Sequence, residues 1–500
     1  MIAPDPISPD PISKGTAMPR ATSAATRPAP APAAPTGSLA AATLAGALAA
    51  ATLATMLAAG PALGAPLQLP AYTRTTLKNG LVVYVMPTRR LPLVDFRLLV
   101  RAGSVNDPAG KEGLAGLTAD LLTQGAGPRS AQQIAEEIAF VGGSLAASAG
   151  AEQVVLACEV LKKDFGVGLE LLRDVAVNPA FPAEEFARKK DETLGAIASQ
   201  KDDPGTVANQ ALGPFLLGTS PLAHPTIGWE KSVGTLTREE VTGFHARHFR
   251  PDNAVLAVVG DVEPQAVLAA LEKAFAEWKA GGEKPVDAYT AVPQARGRSV
   301  LIVNKPEVTQ TQIRLACMGV PRNHPDYYPI TVANTILGAG FTSRLMNEIR
   351  VVQGLTYSIS SRFGMFRNAG TFRVSTFTKN ETIRKTIDET LKVVKTLLDA
   401  GPTDEELAKA KRYLTGQFPL GLQAPDALAA QLLDIEFYGL DPKYVETFND
   451  RINAVTMTDC RRALKSYFCV DDLRILVVSN PEVAKKALEG LGPIEVQEPR

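Results

Sequence analysis

The chain has 500 residues, with 45% hydrophobic and 6% aromatic side chains, a composition ordinary for a globular protein of more than one domain. Lysine plus arginine equals aspartate plus glutamate, at 52 each, so the formal net charge is zero. That balance argues against a nucleic-acid binder, which ordinarily carries a basic excess or stripe.

Residues 1–37 are rich in proline, alanine, serine and threonine and read as disordered. Residues 38–60, SLAAATLAGALAAATLATMLAAG, carry no charge; Arg20 and Arg27 precede them and ALGA (62–65) follows. Positive residues, an apolar core and a small-residue site are the parts of a secretory signal. The core is also long enough for an uncleaved membrane anchor. Met18 offers an alternative start. On either reading residues 1–65 are a leader, and the body of the protein is expected to be exported, to the periplasm or cell envelope.

From residue 70 the chain can be laid on itself. In TLKNGLVVYVMP, Asn79-Gly80 reads as a hairpin turn between two strands. The strand VDFRLLVRAG follows. In GLAGLTADLLTQG (113–125), Leu114, Leu117, Leu121 and Leu122 fall on one face of a helix, with Gly116, Ala119 and Asp120 in the opposite slots. A turn, a buried strand and an amphipathic helix follow in FRPDNAVLAVVGDVEPQAVLAALEKAFAEW (249–278). After a Gly/Pro-containing linker (279–296), strands return in RGRSVLIVNKPEVTQTQIRLACMGVP (296–321). A long helical section is expected from about Tyr327, and FCVDDLRILVVSNPEVAKKALEGLG (468–492) closes again as turn, strand and helix. The element beginning at Phe249 thus recurs at Phe468, which marks duplication of a whole domain, 70–278 and 297–492. Strands grouped apart from helices indicate an α+β fold: two homologous α/β-roll domains, each an antiparallel-rich sheet packed with helices.

No CxxC pattern occurs among Cys158, Cys317, Cys460 and Cys469. Cys158 and Cys317 lie in apolar strand-like runs and read as buried small hydrophobes; Cys460 and Cys469 can pair if their geometry fits. His245 and His248 can share a helix face, but no acidic residue stands in register with them, and they read as structural or surface histidines. The turn LGAGFTS (337–343) lacks a Walker lysine and the dinucleotide-binding spacing.

Taken in order and spacing, TLKNGLVVYVMP, VRAGSVNDPAGKEGLAGLTADLLTQGA, FHARHFRPDNAVLAVVGDV, LGAGFTSRLMNEIRVVQGLTYSISS and TDEELAKAKRYLTGQFPLGLQAPDALAAQL resemble the insulinase/pitrilysin family of zinc peptidases, in its short-chain branch that includes the mitochondrial processing peptidases. The resemblance covers roughly residues 70–490. It implies a zinc-binding helix at 113–125. The two histidine ligands of H-x-x-E-H then fall on Gly116 and Asp120, the glutamate base on Ala119, and a later glutamate ligand on Ala196 or its neighbour Gly195. Zinc needs about three such ligands plus a site for water, so no metal, cofactor or catalytic group is expected in this half. The resemblance also places a substrate-binding arginine and tyrosine on Arg350 and Tyr357, and sets the turn from Gly338 to Gly340 along a bound peptide. It therefore implies a non-catalytic, substrate-binding subunit of a heterodimeric zinc metalloendopeptidase, inactive alone. Its partner would be a paralogue carrying zinc on H-x-x-E-H, and its substrate an extended peptide. The alternative is a catalytically dead peptide-binding or scaffold protein of the cell envelope.

Overall fold

The alternating and 3.6-residue patterns resolve into strands and helices in a computed structural model that describes residues 67–281 and 296–500. The leader, with its signal or anchor, and most of the linker lie outside the described residues. Among the described residues no helix is long and apolar enough to cross a membrane.

The first half runs β1 (Thr73–Thr76), β2 (Val82–Pro87), β3 (Leu93–Val100), α1 (Leu114–Leu121), α2 (Ala131–Phe140), β4 (Ser144–Ala149), β5 (Val154–Leu161), α3 (Phe165–Val177), α4 (Ala183–Gln200), α5 (Pro204–Leu217), α6 (Glu230–Gly234), α7 (Arg238–His248), β6 (Ala254–Gly260) and α8 (Pro264–Ala274). The second runs β7 (Ser299–Asn304), β8 (Gln310–Met318), α9 (Tyr327–Asn334), β9 (Ile359–Met365), β10 (Gly370–Lys379), α10 (Ile383–Ala400), α11 (Asp404–Gln417), α12 (Pro425–Tyr438), α13 (Tyr444–Ala454), α14 (Met457–Tyr467), β11 (Arg474–Ser479), α15 (Pro481–Leu488) and β12 (Ile494–Gln497). The long helical section expected from Tyr327 is interrupted by the β9–β10 hairpin, whose strands pair from Gly370–Met365 to Thr376–Ile359.

Both halves build six-stranded sheets, ordered β1-β2-β6-β3-β5-β4 and β12-β7-β11-β8-β10-β9. Five positions correspond strand for strand, β2 to β7 through β4 to β9, with one parallel neighbour pair in each (β2–β6, β7–β11) and antiparallel pairing on the β3 or β8 side. Only the outer strand beyond β2 or β7 differs. The first half supplies β1, antiparallel through the Asn79-Gly80 turn; the second supplies the C-terminal β12, parallel to β7. The α+β expectation holds, as two duplicated sheet-and-helix layers.

One face of each sheet packs against helices of its own half. Val154, Leu156, Cys158 and Val160 alternate along β5 into the first core, which also takes all four leucines of the α1 face. The other face is closed by exchange. From α5 in the first half, Val207, Ala208, Ala211 and Leu212 cover Leu301, Val303, Ala316, Leu476 and Val478 of the second sheet. From α12 in the second half, Leu428, Ala429, Leu432 and Leu433, at the same spacing, cover Met86, Leu99, Val255, Ala257 and Val259 of the first. Burial of each such leucine or valine contributes about 1.5–3 kcal/mol. Glu436 of α12 pins the exchange. It accepts from Arg74 Nε (3.0 Å) and the Tyr84 hydroxyl (2.7 Å), and Arg101 lies at 3.5 Å. Burial pushes its carboxyl up, but these donors outweigh it and hold the group below the ordinary range.

Two readings of single residues change. Cys317 is not a free hydrophobe: it forms a disulfide with Cys469, tying the end of β8 to the turn before β11 across a Cα–Cα distance of 6.5 Å. Cys460 is buried in the first turn of α14 and Cys469 lies beyond its end, so roughly 10 Å of helix separates them, too far for a disulfide. His245 and His248 are core groups. The His245 ring, Nε2 at 2.9 Å from the Ala176 carbonyl, stacks on Phe249; His248 packs on Phe244. Burial lowers both to about 4, helped at His248 by Arg247 and Arg250.

Those folded-state values lie below the unfolded 6.5, so the unfolded chain binds the extra protons and stability falls as pH drops from 6.5 towards 4. His245→Gln is expected to make denaturant stability less steep across that window, by up to about 1.4 kcal/mol per pH unit; an unchanged slope would refute the burial account. Peptide mapping without reductant should recover a Cys317–Cys469 crosslink, and Cys469→Ser should lower stability by roughly 2–4 kcal/mol. A Cys460–Cys469 crosslink would contradict this pairing.

Candidate functional site

The first candidate is the helix predicted to have carried the metal. Its start is fixed by Asp107, whose carboxylate accepts from the Gly113 and Ala115 N–H groups at 2.8 Å each. Burial pushes that carboxyl up to about 7 against those two bonds. The leucine face is buried as predicted, but the three opposite positions do not share an open face. At Gly116 an added Cβ would stand 2.6 Å from the Thr226 carbonyl oxygen, so backbone of the His224–Gly228 loop occupies the direction a side chain would take. Ala119 is 1% exposed and belongs to the core. Asp120 alone faces solvent. Desolvation by nearby protein raises its carboxyl, opposed by the Lys189 ammonium and reinforced by Glu192.

Helix α4, which packs against α1, supplies no replacement ligand. Ala196 and Gly195 are exposed and carry no donor atom, and Lys189 is paired with Glu192 at 3.0 Å. Among the described residues no group of three His, Cys, Asp or Glu side chains is placed to hold a metal ion. One carboxylate, a closed backbone direction and a core alanine do not fit zinc.

The second candidate lies between α9 and β9. Here the chain leaves α9 through a π-helical turn (Thr335–Ala339), reverses, and forms a second π-helical segment (Met346–Val352). Such segments are uncommon and recur at functional sites. Gly338 is buried: its added Cβ would stand 2.4 Å from the Ser361 hydroxyl, and Ser361 is bonded to Asn334 at 2.7 Å. It lets α9 pack against β9 and is not presented to a ligand. Gly340 has open space beside it. Gly354 takes φ +61° just past the second segment, the C-terminal position expected of it.

Arg350 and Tyr357 emerge from this frame. Ile349, Leu355 and Thr356 beside them are buried, and Thr356 locks the turn by donating to the Ser358 carbonyl (3.0 Å) and accepting from its N–H (3.2 Å). Tyr357 between them is 77% exposed. The Arg350 guanidinium lies over Phe341, 5.0 Å from the ring centroid, a cation–π contact that orients it without neutralising it. Neither side chain has a hydrogen-bond or acidic partner among the described residues. The nearby Arg344, whose spacing to Tyr357 differs from that of Arg350, is committed elsewhere: it holds Glu406 at 2.6 and 2.7 Å. Phe341, which the sequence reading did not single out, is 73% exposed. Val351, Val352 and Tyr357 of the same segment are exposed as well.

Comparison with known proteins identifies the family. Residues 87–228 match the family model described as insulinase (peptidase family M16), and residues 235–414 match the peptidase M16 inactive domain. An uncharacterized zinc protease of Mycobacterium tuberculosis is 29% identical over 72% of this chain and 82% of its own. One from Streptomyces coelicolor is 28% identical over 78% and 85%. Among solved structures, a peptidase M16 inactive domain from Pseudomonas fluorescens superposes with TM-score 0.77 at 29% identity, covering 82% of this chain and 98% of that one. A Helicobacter pylori protease shares the fold at TM-score 0.78 and 22% identity, covering 82% and 100%. The two matched domains, the relatives and the missing ligands together show that the chain belongs to the insulinase family of peptidases, as a non-catalytic type of member.

Proposed function

We propose that this chain is the substrate-binding subunit of a two-chain zinc peptidase, with the metal and the general base carried by a paralogous partner bearing H-x-x-E-H. The observation that carries the reading is the contrast between the two candidate sites. The metal helix is closed by backbone, whereas Arg350, half-buried over Phe341, and the exposed Tyr357 stand on buried neighbours with no hydrogen-bond or acidic partner among the described residues. A guanidinium can hold a peptide carbonyl or carboxylate through a fork of donors. A tyrosine hydroxyl can donate to the oxygen that gains charge when water attacks the scissile carbonyl. Both act on an extended peptide at the partner's metal, with Gly340 and Phe341 alongside. Export to the periplasm or cell envelope is part of the proposal, supported by the leader sequence and by the Cys317–Cys469 disulfide, which persists in an oxidising compartment.

Two measurements test it. Restoring the ligand set with Gly116→His, Ala119→Glu, Asp120→His and Ala196→Glu should still leave less than about a tenth of an equivalent of zinc in the purified chain, since zinc needs its ligands converged and Thr226 blocks the first of them. Stoichiometric zinc in that variant, or in the unaltered chain, would refute the closed-site account. In the reconstituted pair, Arg350→Ala and Tyr357→Phe should each lower kcat/KM at least tenfold, about 1.4 kcal/mol of barrier, with zinc content unchanged. Activity within threefold of the original would remove both residues from this role. Peptide binding by a chain that forms no active pair with any zinc-bearing paralogue would instead favour the scaffold reading.

A further inference from the structure

The duplication allows the same positions to be compared in the two sheets, on the face that α5 or α12 only half covers. In the first sheet Arg97 pairs in register with Ala257 and Ala157; in the second Arg314 pairs with Leu476 and Ser375. Ala257 and Leu476 hold the same place in the repeated element, so Arg97 and Arg314 are equivalent. Arg97 is neutralised: it donates to Asp95 at 3.0 Å and to Asp426, at the start of α12, at 3.4 Å. Arg314 meets the corresponding positions as neutral groups, the Gln312 amide oxygen (3.2 Å) and the carbonyl of Gly205, at the start of α5 (3.2 Å).

Arg314 is 5% exposed. Its remaining bonds go to Asn209 Oδ1 (3.0 Å) and to the Ile313 and Thr376 carbonyls. The nearest carboxylate, Asp203, is taken up capping α5 through the Gly205 N–H and the Thr206 hydroxyl. A guanidinium this buried and without a directly bonded acidic partner is costly. The second sheet adds to that charge. Arg373 reaches the same Asn209 oxygen at 3.4 Å, and Arg362 stands directly opposite Arg373 across β9–β10, where like charges repel. Arg373 and Arg362 have no acidic partner among the described residues, and β8, β9 and β10 contain no aspartate or glutamate. Desolvation lowers Arg314 to about 10; Arg373 adds to the effect and the Asp203 carboxylate opposes it. The opposite arrangement stands in the first sheet, where Asp95, Glu159 and Asp426 outnumber Arg97.

We propose that the open half of the second sheet's face, at Arg373 and Arg362, with the buried Arg314 charge beside them, binds the carboxylates of an acidic segment of an extended peptide. This rests on the peptide-binding reading above and names the chemistry of the substrate. Residues directly opposite on adjacent strands have their Cβ atoms about 4.5–5.5 Å apart, so one carboxylate can reach both Arg362 and Arg373. Alternate side chains of an extended peptide point to one face, so acidic residues at i and i+2 present their carboxylates to that face together. Arg362 lies on the edge strand β9, where an incoming strand has access. The chain's zero net charge argues against a nucleic-acid ligand, which needs a longer basic track.

The test is fluorescence anisotropy on the intact chain, using two unstructured peptides identical except that one carries Glu at alternate positions and the other Gln. The acidic peptide should bind at least tenfold tighter at low salt, with the gap closing as salt rises. Arg362→Gln with Arg373→Gln should bring it to the level of the Gln peptide while leaving the latter's affinity unchanged; the corresponding lysine pair should retain the preference. Equal affinities for the two peptides in the unaltered chain, or a preference that survives the double Gln variant, would overturn the proposal while leaving peptide binding itself intact. No binding of either peptide would overturn both readings. A single-stranded oligonucleotide bound as tightly as the acidic peptide would overturn the ligand class. Acidic-peptide binding that depends on the two arginines, in a chain whose Arg350→Ala and Tyr357→Phe variants leave the pair's activity unchanged, would uphold the site and reject the role assigned to Arg350 and Tyr357.

Discussion

The exchange of α5 and α12 is the constraint on which the rest of the molecule depends. Each sheet has one face closed by its own helices and a second face whose apolar strip is covered only by a helix from the other half. Neither half buries both faces alone, so the duplicated halves form a single packed body. The Glu436 cluster, with Arg74, Tyr84 and Arg101, fixes the angle at which α12 crosses the first sheet. On that second face the outer strands β5–β4 and β10–β9 extend beyond the exchanged helices, and the hairpins that carry them meet where Glu152 accepts the Arg367 N–H at 3.1 Å. The open surfaces available to a peptide are therefore a consequence of where the exchanged helices stop.

Within that frame the halves have diverged in chemistry and hardly at all in packing. The α1 leucines remain in the core while the positions on its far side have become Gly116, Ala119 and Asp120. Loss of a side chain at 116 is coupled to the approach of the Thr226 carbonyl, because the two cannot occupy one space. The second half has no metal helix in the corresponding place. It has the two π-helical segments around the Arg350–Tyr357 turn, in which buried neighbours hold exposed groups in a defined direction. The leucine positions tolerate little change because each loses apolar burial and leaves a cavity.

Much of this was legible in the sequence. The Asn79-Gly80 hairpin, the leucine face of α1 and the repeated strand-helix element rest on local periodicity and turn chemistry, and these survive into the structure. The missing ligands were legible because a zinc helix is defined by side chains at fixed spacing. What was not legible depends on tertiary pairing. The β9–β10 hairpin was absorbed into a helical section, although GTFRVSTFTK alternates strictly between buried and half-buried positions. The Cys317–Cys469 disulfide joins residues 152 apart, beyond the reach of local spacing. Ala119 looked like part of an exposed face because helical periodicity reports one apolar stripe, not what covers the other side. Gly338 looked available to a peptide for the same reason, yet Ser361 lies against it.

The two arginines at equivalent positions show how far a duplicated scaffold lets charge vary. Arg97 and Arg314 sit in the same register, beside the start of an exchanged helix, and both are held by two groups in the same places. In one half those groups are carboxylates and the site is electrically closed. In the other they are an amide and a backbone carbonyl, and the site is hydrogen-bonded but still charged. Hydrogen bonding alone satisfies the geometry of a guanidinium; it does not supply a counter-charge. A buried cation with complete polar contacts and no directly bonded acidic partner, joined by two more on adjacent strands, makes that face attractive to an anion. That leaves the second sheet's face with an intrinsic preference that neither the metal helix nor the Arg350–Tyr357 turn provides.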